Sequence, residues 1–271
     1  MTTQTHQPDW NRIAEKFDMW VPHLAPVGET LIAALDVRPG HHVLDVACGT
    51  GEPALTLARR LGQHIELTAI DAAQGMVTAA ARKAAREGLH QVKFACMPAE
   101  HITLPDASFD RVLCRFGVML FENPVQGLKE MLRTLKPGGR FAYAVWHTAE
   151  TMPTMNWSYR AFEKRVTEEN RPPLHKVTSL GGNGTFAAAL REAGYREFDV
   201  REHTFHYSFA SFDEFWNVVE ASEIMKQQFD ALPPAQRREV RDEIALFARD
   251  FHTPGGLAIP HSYLVATGVK G

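Results

Sequence analysis

Residues 42–61 constrain the fold more than any other stretch. Val43-Leu44-Asp45-Val46 is a strand-length apolar run interrupted by one acid, and Ala47-Cys48-Gly49-Thr50-Gly51 places two glycines directly after it. The next segment, Ala54-Leu55-Thr56-Leu57-Ala58-Arg59-Arg60-Leu61, repeats apolar residues at helical spacing. The order is strand, glycine turn, helix. Gly49 and Gly51 remove side chains where the backbone must turn tightly or approach a ligand, and Val43, Leu44 and Val46 suit an inner strand covered on both faces. Strand-like and helix-like segments keep alternating downstream, which implies a parallel sheet with right-handed crossovers. A ligand crevice then lies at the carboxyl ends of the strands.

Two cofactor classes use such a turn. Gly49-x-Gly51-x-x-Ala54 approximates the dinucleotide fingerprint, which on its own supports an NAD(P)-dependent oxidoreductase. Asp45 argues the other way, because a carboxylate just before the loop opposes a pyrophosphate on the helix N-terminus. It suits a cofactor that carries positive charge and no phosphate, such as S-adenosylmethionine with its ammonium and sulfonium.

With those residues in view, Asp45-Val46-Ala47-Cys48-Gly49-Thr50-Gly51 resembles the first motif of the class I S-adenosylmethionine-dependent methyltransferases, in their small-molecule, UbiE-like branch; Ala47 stands where the first glycine is usual. Ile65-Glu66-Leu67-Thr68-Ala69-Ile70-Asp71 reads as a strand ending in an acid about 20 residues past the loop, the spacing of a ribose-binding carboxylate. Ala72-Ala73-Gln74-Gly75-Met76 resembles the family's next segment. Phe109-Asp110-Arg111-Val112-Leu113-Cys114 and Leu135-Lys136-Pro137-Gly138-Gly139-Arg140-Phe141 supply the fourth strand and the turn before the fifth. Leu190-x-x-Ala193-Gly194-Tyr195 and Tyr263-Leu264-Val265-Ala266-Thr267-Gly268 resemble the closing antiparallel hairpin.

The resemblance implies a doubly wound, mostly parallel seven-stranded α/β sheet that binds S-adenosyl-L-methionine. Asp45, Ala47, Gly49 and Gly51 would surround its amino-acid part, Asp71 its ribose and Met76 its adenine. Many relatives carry an adenine-binding acid where this chain has Pro98, within Met97-Pro98-Ala99-Glu100. Backbone near Ala99 or the Glu100 side chain is then expected to hold the adenine. Relatives also place an N-terminal aromatic over the cofactor. Phe17 and Trp20 are candidates, although Trp10, Ile13, Ala14, Phe17 and Trp20 equally form the apolar stripe any docking helix needs.

The expected organisation is N-terminal helices over residues 1–35, a cofactor-binding core over 36–148 and a cap insertion over 149–184. A core helix and strand follow over 185–210, then a second cap insertion with two helices over 211–255, and a final core strand over 256–271. Ser211 and Pro233-Pro234 mark the helix starts of the second insertion. A net charge of −3 gives no basic footprint for nucleic acid. Three cysteines without C-x-x-C spacing and the lack of a long apolar run imply a cytoplasmic, soluble protein with no membrane association.

Methyl transfer leaves the protein chiefly to align the reactants and, for some acceptors, to remove a proton. His147 follows a strand-like run and is the first candidate base, against the alternative of a histidine capping the strand or bonded to the first insertion. Arg115 either touches the cofactor or an anionic substrate group, or pairs with Glu122. Cys114-Arg115-Phe116-Gly117 lacks the Asn/Asp-Pro-Pro-aromatic pattern of enzymes that methylate planar amino groups, and no acidic constellation recommends a metal. A small organic acceptor remains. Trp157, Tyr159, Phe162, Phe212 and Trp216 hint at an apolar or aromatic one, or form the cap's own core. A methyltransferase fold without turnover, kept as a scaffold, also accounts for the motifs.

Overall fold

Val43, Leu44 and Val46 are buried, and β1 (His42–Val46) accordingly runs in the interior of the sheet, parallel to β2 (Glu66–Asp71) on one side and β4 (Phe109–Arg115) on the other. The structure, a computed structural model, describes residues 8–271; residues 1–7 of the expected N-terminal unit lie outside the described residues. The remaining strands are β3 (Val92–Cys96), β5 (Leu135–Trp146), β6 (Glu197–Phe209), β7 (His252–Thr253) and β8 (Gly256–Val269). Their order is β3-β2-β1-β4-β5-β8-β6, with β7 paired to β8. The pairs from β3 to β5 are parallel, and β8 is antiparallel to β5, β6 and β7. The doubly wound sheet with a C-terminal antiparallel portion is therefore present, with eight strands among the described residues rather than seven. The added one is only two residues long.

Local chemistry explains the helix starts. The Asn123 side chain accepts from the Gln126 N–H ahead of Pro124–Thr134, and Ser211 does the same for Glu214 ahead of Phe212–Ala221. Pro153 and Pro234 open Pro153–Glu163 and Pro234–Ala248, where a missing N–H costs nothing. Among the described residues three α-helices form between 211 and 255, one more than expected, the added one being the short Lys226–Asp230.

The N-terminal helix, Trp10–Phe17, buries Ile13 and Ala14. It lies close on the helix Gln74–Arg86, where a Cβ on Gly75 would meet the Asn11 carbonyl oxygen at 2.4 Å. The Gly75 N–H donates to Asn11 Oδ1 at 2.8 Å, and Lys83 pairs with Asp18 at 2.8 Å. These contacts hold the N-terminal segment beside the carboxyl ends of β1 and β2. Among the described residues no helix is long and apolar enough to cross a membrane.

Candidate functional site

The chain leaves β1 through two left-handed residues, Ala47 at φ 57° and Gly49 at φ 54°. Ala47 thus occupies a conformation that favours glycine, which its small side chain tolerates. The Gly49 N–H donates to Asp71 Oδ2 at 2.9 Å, and Asp71 Oδ1 accepts from the Ala73 N–H at 2.9 Å. Burial pushes the Asp71 carboxyl up, and these two backbone bonds counteract it. A Cβ added to Gly49 would meet nothing within 4 Å, because Gly49 borders open space.

That space belongs to a cavity of about 720 Å³, within the usual size of a small-molecule site. Ala47, Gly49, Asp71 and Met76 line its β1–β2 end, and Ala99 and Glu100 line the adjoining wall. Glu100 Oε1 accepts from the Glu122 and Asn123 N–H groups at 2.8 and 3.3 Å, while Oε2 has no partner among the described residues. Phe17 and Trp20 border the cavity from the N-terminal segment. The Thr50 hydroxyl donates to Asp18 and so ties that segment to the glycine loop. Partner-free space at Gly49, unspent acceptor capacity on Asp71 and Glu100, and apolar Met76 beside them fit the amino-acid, ribose and adenine parts of S-adenosylmethionine.

Two motif residues stand elsewhere. Asp45 stays inside the sheet, opposite Ala69 and Leu113, and does not line the cavity. Its carboxyl is fully buried and has no hydrogen-bond partner among the described residues. Burial pushes it up to about 8, against the opposing charge of Arg115. Its place inside the sheet, away from the cavity, corrects the expectation that it compensates a cationic cofactor. Gly51, at φ 107°, does not line the cavity either; a Cβ there would meet Leu55 Cδ1 at 2.8 Å and Ala80 Cβ at 3.3 Å. Its role is close packing of loop and helices.

His147 is also corrected. Beyond Trp146 the chain turns away, so Trp146 faces the cavity and His147 does not. His147 Nδ1 lies 3.1 Å from Thr151 Oγ1 and 3.8 Å from Glu202 Oε1, which makes it a histidine bonded to the first insertion. The histidine in the cavity is His261 on β8. It is 1% exposed, with Nε2 2.7 Å from Thr154 Oγ1 and Nδ1 3.3 Å from the Ile259 carbonyl. Burial pushes its pKa down to about 3, so the ring is neutral. Alternation along β8 marks it: Leu257, Ile259, His261, Tyr263 and Val265 are all buried on one face.

Arg115, at the end of β4, lines the cavity and is not paired with Glu122; its Nη1 donates to the Leu24 carbonyl at 3.3 Å. Next to it Phe116, a buried aromatic at φ 60°, stacks on Trp146 with ring centroids 3.7 Å apart and planes 15° from parallel. A bulky residue in that backbone region is strained, and such strain concentrates at functional sites. Met152, Met155 and Leu174 continue the apolar wall. Trp157, Tyr159, Phe162, Phe212 and Trp216 do not reach the cavity. Instead Trp157 packs on Phe251, Phe162 on Phe229 and Phe212 on Trp216, as the cap's own core.

Residues 43–139 match the family described as "Methyltransferase domain". The ubiquinone/menaquinone biosynthesis C-methyltransferase UbiE of Rhizobium meliloti (strain 1021) is 30% identical over 190 residues, covering 65% of this chain and 73% of that protein. Among solved structures, the [4+2]-cyclase SpnF aligns with a TM-score of 0.58 at 20% identity, over 97% of this chain and 98% of the other. Haemonchus contortus phosphoethanolamine N-methyltransferase 2 in complex with S-adenosyl-L-methionine aligns with a TM-score of 0.57 at 16% identity, over 93% of this chain and 52% of the other. At these identities the structural likeness speaks for the fold alone.

Proposed function

Because this chain belongs to the class I S-adenosylmethionine-dependent methyltransferases, we propose that it methylates a small, largely apolar organic acceptor held against Phe116 and Trp146. The observation that carries this reading is a single cavity joining the Gly49–Asp71 corner to the Phe116–Trp146 wall.

In this reading Asp71 takes the ribose hydroxyls on the lone pairs that Gly49 and Ala73 leave free. Ala47 and Gly49 border the amino-acid part, Met76 lies against the adenine, and Ala99 with Glu100 takes the adenine edge. The cofactor, when bound, supplies a methyl group on a sulfonium whose leaving group is already activated. Phe17 and Trp20 close the site from the N-terminal side, where their rings exclude water and attract the cation. Phe116, Trp146 and Met152 orient the acceptor by shape. Holding two reactants in line removes much of the barrier to such a displacement.

Calorimetry with S-adenosylhomocysteine and with NADH tests the cofactor, and a labelled-methyl screen of cell extract with mass spectrometry of the product tests the transfer. Binding of S-adenosylhomocysteine and one labelled small molecule are expected. Micromolar binding of NADH alone overturns the reading in favour of an oxidoreductase. Cofactor binding without any transfer across a broad acceptor panel overturns it in favour of a scaffold.

A further inference from the structure

A polar pair interrupts the apolar wall around Trp146. Thr154, at the second position of the helix Pro153–Glu163, and His261 on β8 both line the cavity. The His261 ring lies 6.2 Å from that of Trp146 and 4.5 Å from that of Tyr207, with Met152 and Met155 beside Thr154 in the cavity wall. What lies on the far side of the imidazole fixes the direction of the bond between the two. His261 Nδ1 is 3.3 Å from the Ile259 carbonyl, which only accepts, so Nδ1 carries the proton. An imidazole with no acidic partner among the described residues is mostly neutral at about pH 7.5 even at its ordinary pKa, and burial lowers that pKa further. Nε2 is then a bare acceptor, and the Thr154 hydroxyl donates to it at 2.7 Å. Ser158, one helical turn on, also lines the cavity and spends its proton on the Thr154 carbonyl at 2.8 Å. Both hydroxyls that this helix gives to the cavity therefore keep lone pairs but no free proton. Oxygen lone pairs set in an apolar wall call for a donor.

We propose that the Thr154 oxygen, fixed by His261, accepts a hydrogen bond from the methyl acceptor, which makes the acceptor class flat apolar molecules that carry a neutral hydroxyl or N–H group. The proposal rests on the methyltransferase reading and narrows its substrate. His261 is a positioning residue in it: the ring draws the Thr154 proton away from the cavity and so turns the lone pairs of that oxygen to the ligand's use. Location assigns the pair to the acceptor. β8 stands three strands from β1, about 14 Å at the usual strand spacing, whereas Gly49 and Asp71 belong to the ends of β1 and β2. On β8 His261 lies two residues beyond Tyr263, the register partner of Trp146, so it sits past the carboxyl end of β5 and beside the Trp146 wall. Thr154 and His261 also fall outside residues 43–139, the stretch that matches the methyltransferase domain. The task of the pair is alignment, which is most of what methyl transfer asks of a protein.

The test titrates 2-naphthol and 2-fluoronaphthalene, which keeps the shape but cannot donate, by calorimetry into the full chain saturated with S-adenosylhomocysteine. Naphthol is expected to bind about 3- to 10-fold tighter, the range for one neutral hydrogen bond. Thr154→Val is expected to erase the preference while S-adenosylhomocysteine affinity stays within about 2-fold, and Thr154→Ser, which restores the hydroxyl, to keep it. A readout that does not depend on the variants folding is the tautomer: nitrogen-15 spectra of the histidine-labelled protein, with the His261 signals identified by their loss in His261→Asn, are expected to show a protonated Nδ1 and a bare Nε2. A proton on Nε2 overturns the proposal, because Thr154 would then have its own proton free for the cavity. Equal binding of the two probes, or binding of neither, to a protein that still binds S-adenosylhomocysteine also overturns it and leaves the methyltransferase reading standing, as does a Thr154→Val protein that retains the preference. Failure to bind S-adenosylhomocysteine overturns both.

Discussion

The Gly49 N–H donates to Asp71 Oδ2 across 2.9 Å, so the loop after β1 is tied to the acid that ends β2. One carboxylate therefore shapes the loop and still faces the cavity. Asp71→Ala is expected to weaken S-adenosylhomocysteine about 10- to 100-fold, the range for losing hydrogen bonds to a charged group. Calorimetry on a variant shown to be folded by circular dichroism checks this. Unchanged affinity with a lowered melting temperature would reduce Asp71 to a loop tether.

The two loop glycines separate into different roles. A side chain at Gly49 enters the cavity and also strains a φ of 54°, so Gly49→Val is expected to abolish cofactor binding in a protein that remains folded. At Gly51 the same change collides with Leu55 and Ala80 at a φ of 107°. Gly51→Val is expected to cost stability, about 1–3 kcal/mol from overpacking before strain is added. Paired urea melts and S-adenosylhomocysteine titrations distinguish them. Equal effects of both changes on binding alone would contradict the assignment.

The strand, turn and acid around Gly49 and Asp71 were legible because they are local: a short apolar run, two glycines and a spacing of about 20 residues encode them. The same locality misplaced Asp45 and His147. β1 and β5 are inner strands whose two faces are both buried, so apolar pattern does not tell which face a residue takes. His147 is then decided by the turn that brings Thr151 to its ring. β8 did carry a signal, since its alternation puts His261 on the buried face. The meeting of Trp20 and Tyr207, 5.5 Å apart by ring centroids, has no sequence signature. It joins the N-terminal segment to the edge strand β6, and only the folded chain brings them together.

His147→Ala is expected to leave methyl-transfer turnover within about 2-fold, because its ring bonds Thr151 and faces Glu202 rather than the cavity. Its pH–rate profile should superimpose on that of the unaltered protein. A drop of 100-fold or so, rescued at high pH, is what a general base at this position would produce, and would return His147 to the chemistry.

Asp45 and His261 bend the pH dependence of stability in opposite directions. The Asp45 carboxyl, raised by burial to about 8, binds its proton more tightly in the folded than in the unfolded chain, so its contribution falls as pH rises from about 4 to 8. The His261 ring, lowered to about 3, disfavours protonation in the folded chain, so its contribution is intact above about 6.5 and is lost as pH falls toward 3. Each slope approaches about 1.4 kcal/mol per pH unit where one state is protonated and the other is not. Between roughly pH 4 and 6.5 the two oppose one another. Above that only the Asp45 decline remains. Asp45→Asn is therefore expected to flatten the stability curve between pH 6.5 and 8 and to steepen the loss on the acid side. Urea denaturation of the cofactor-free protein at a series of pH values measures both limbs. A variant whose curve runs parallel to that of the unaltered protein across this range would show that the Asp45 carboxyl is ionised in the fold, with Arg115 as its counter-ion.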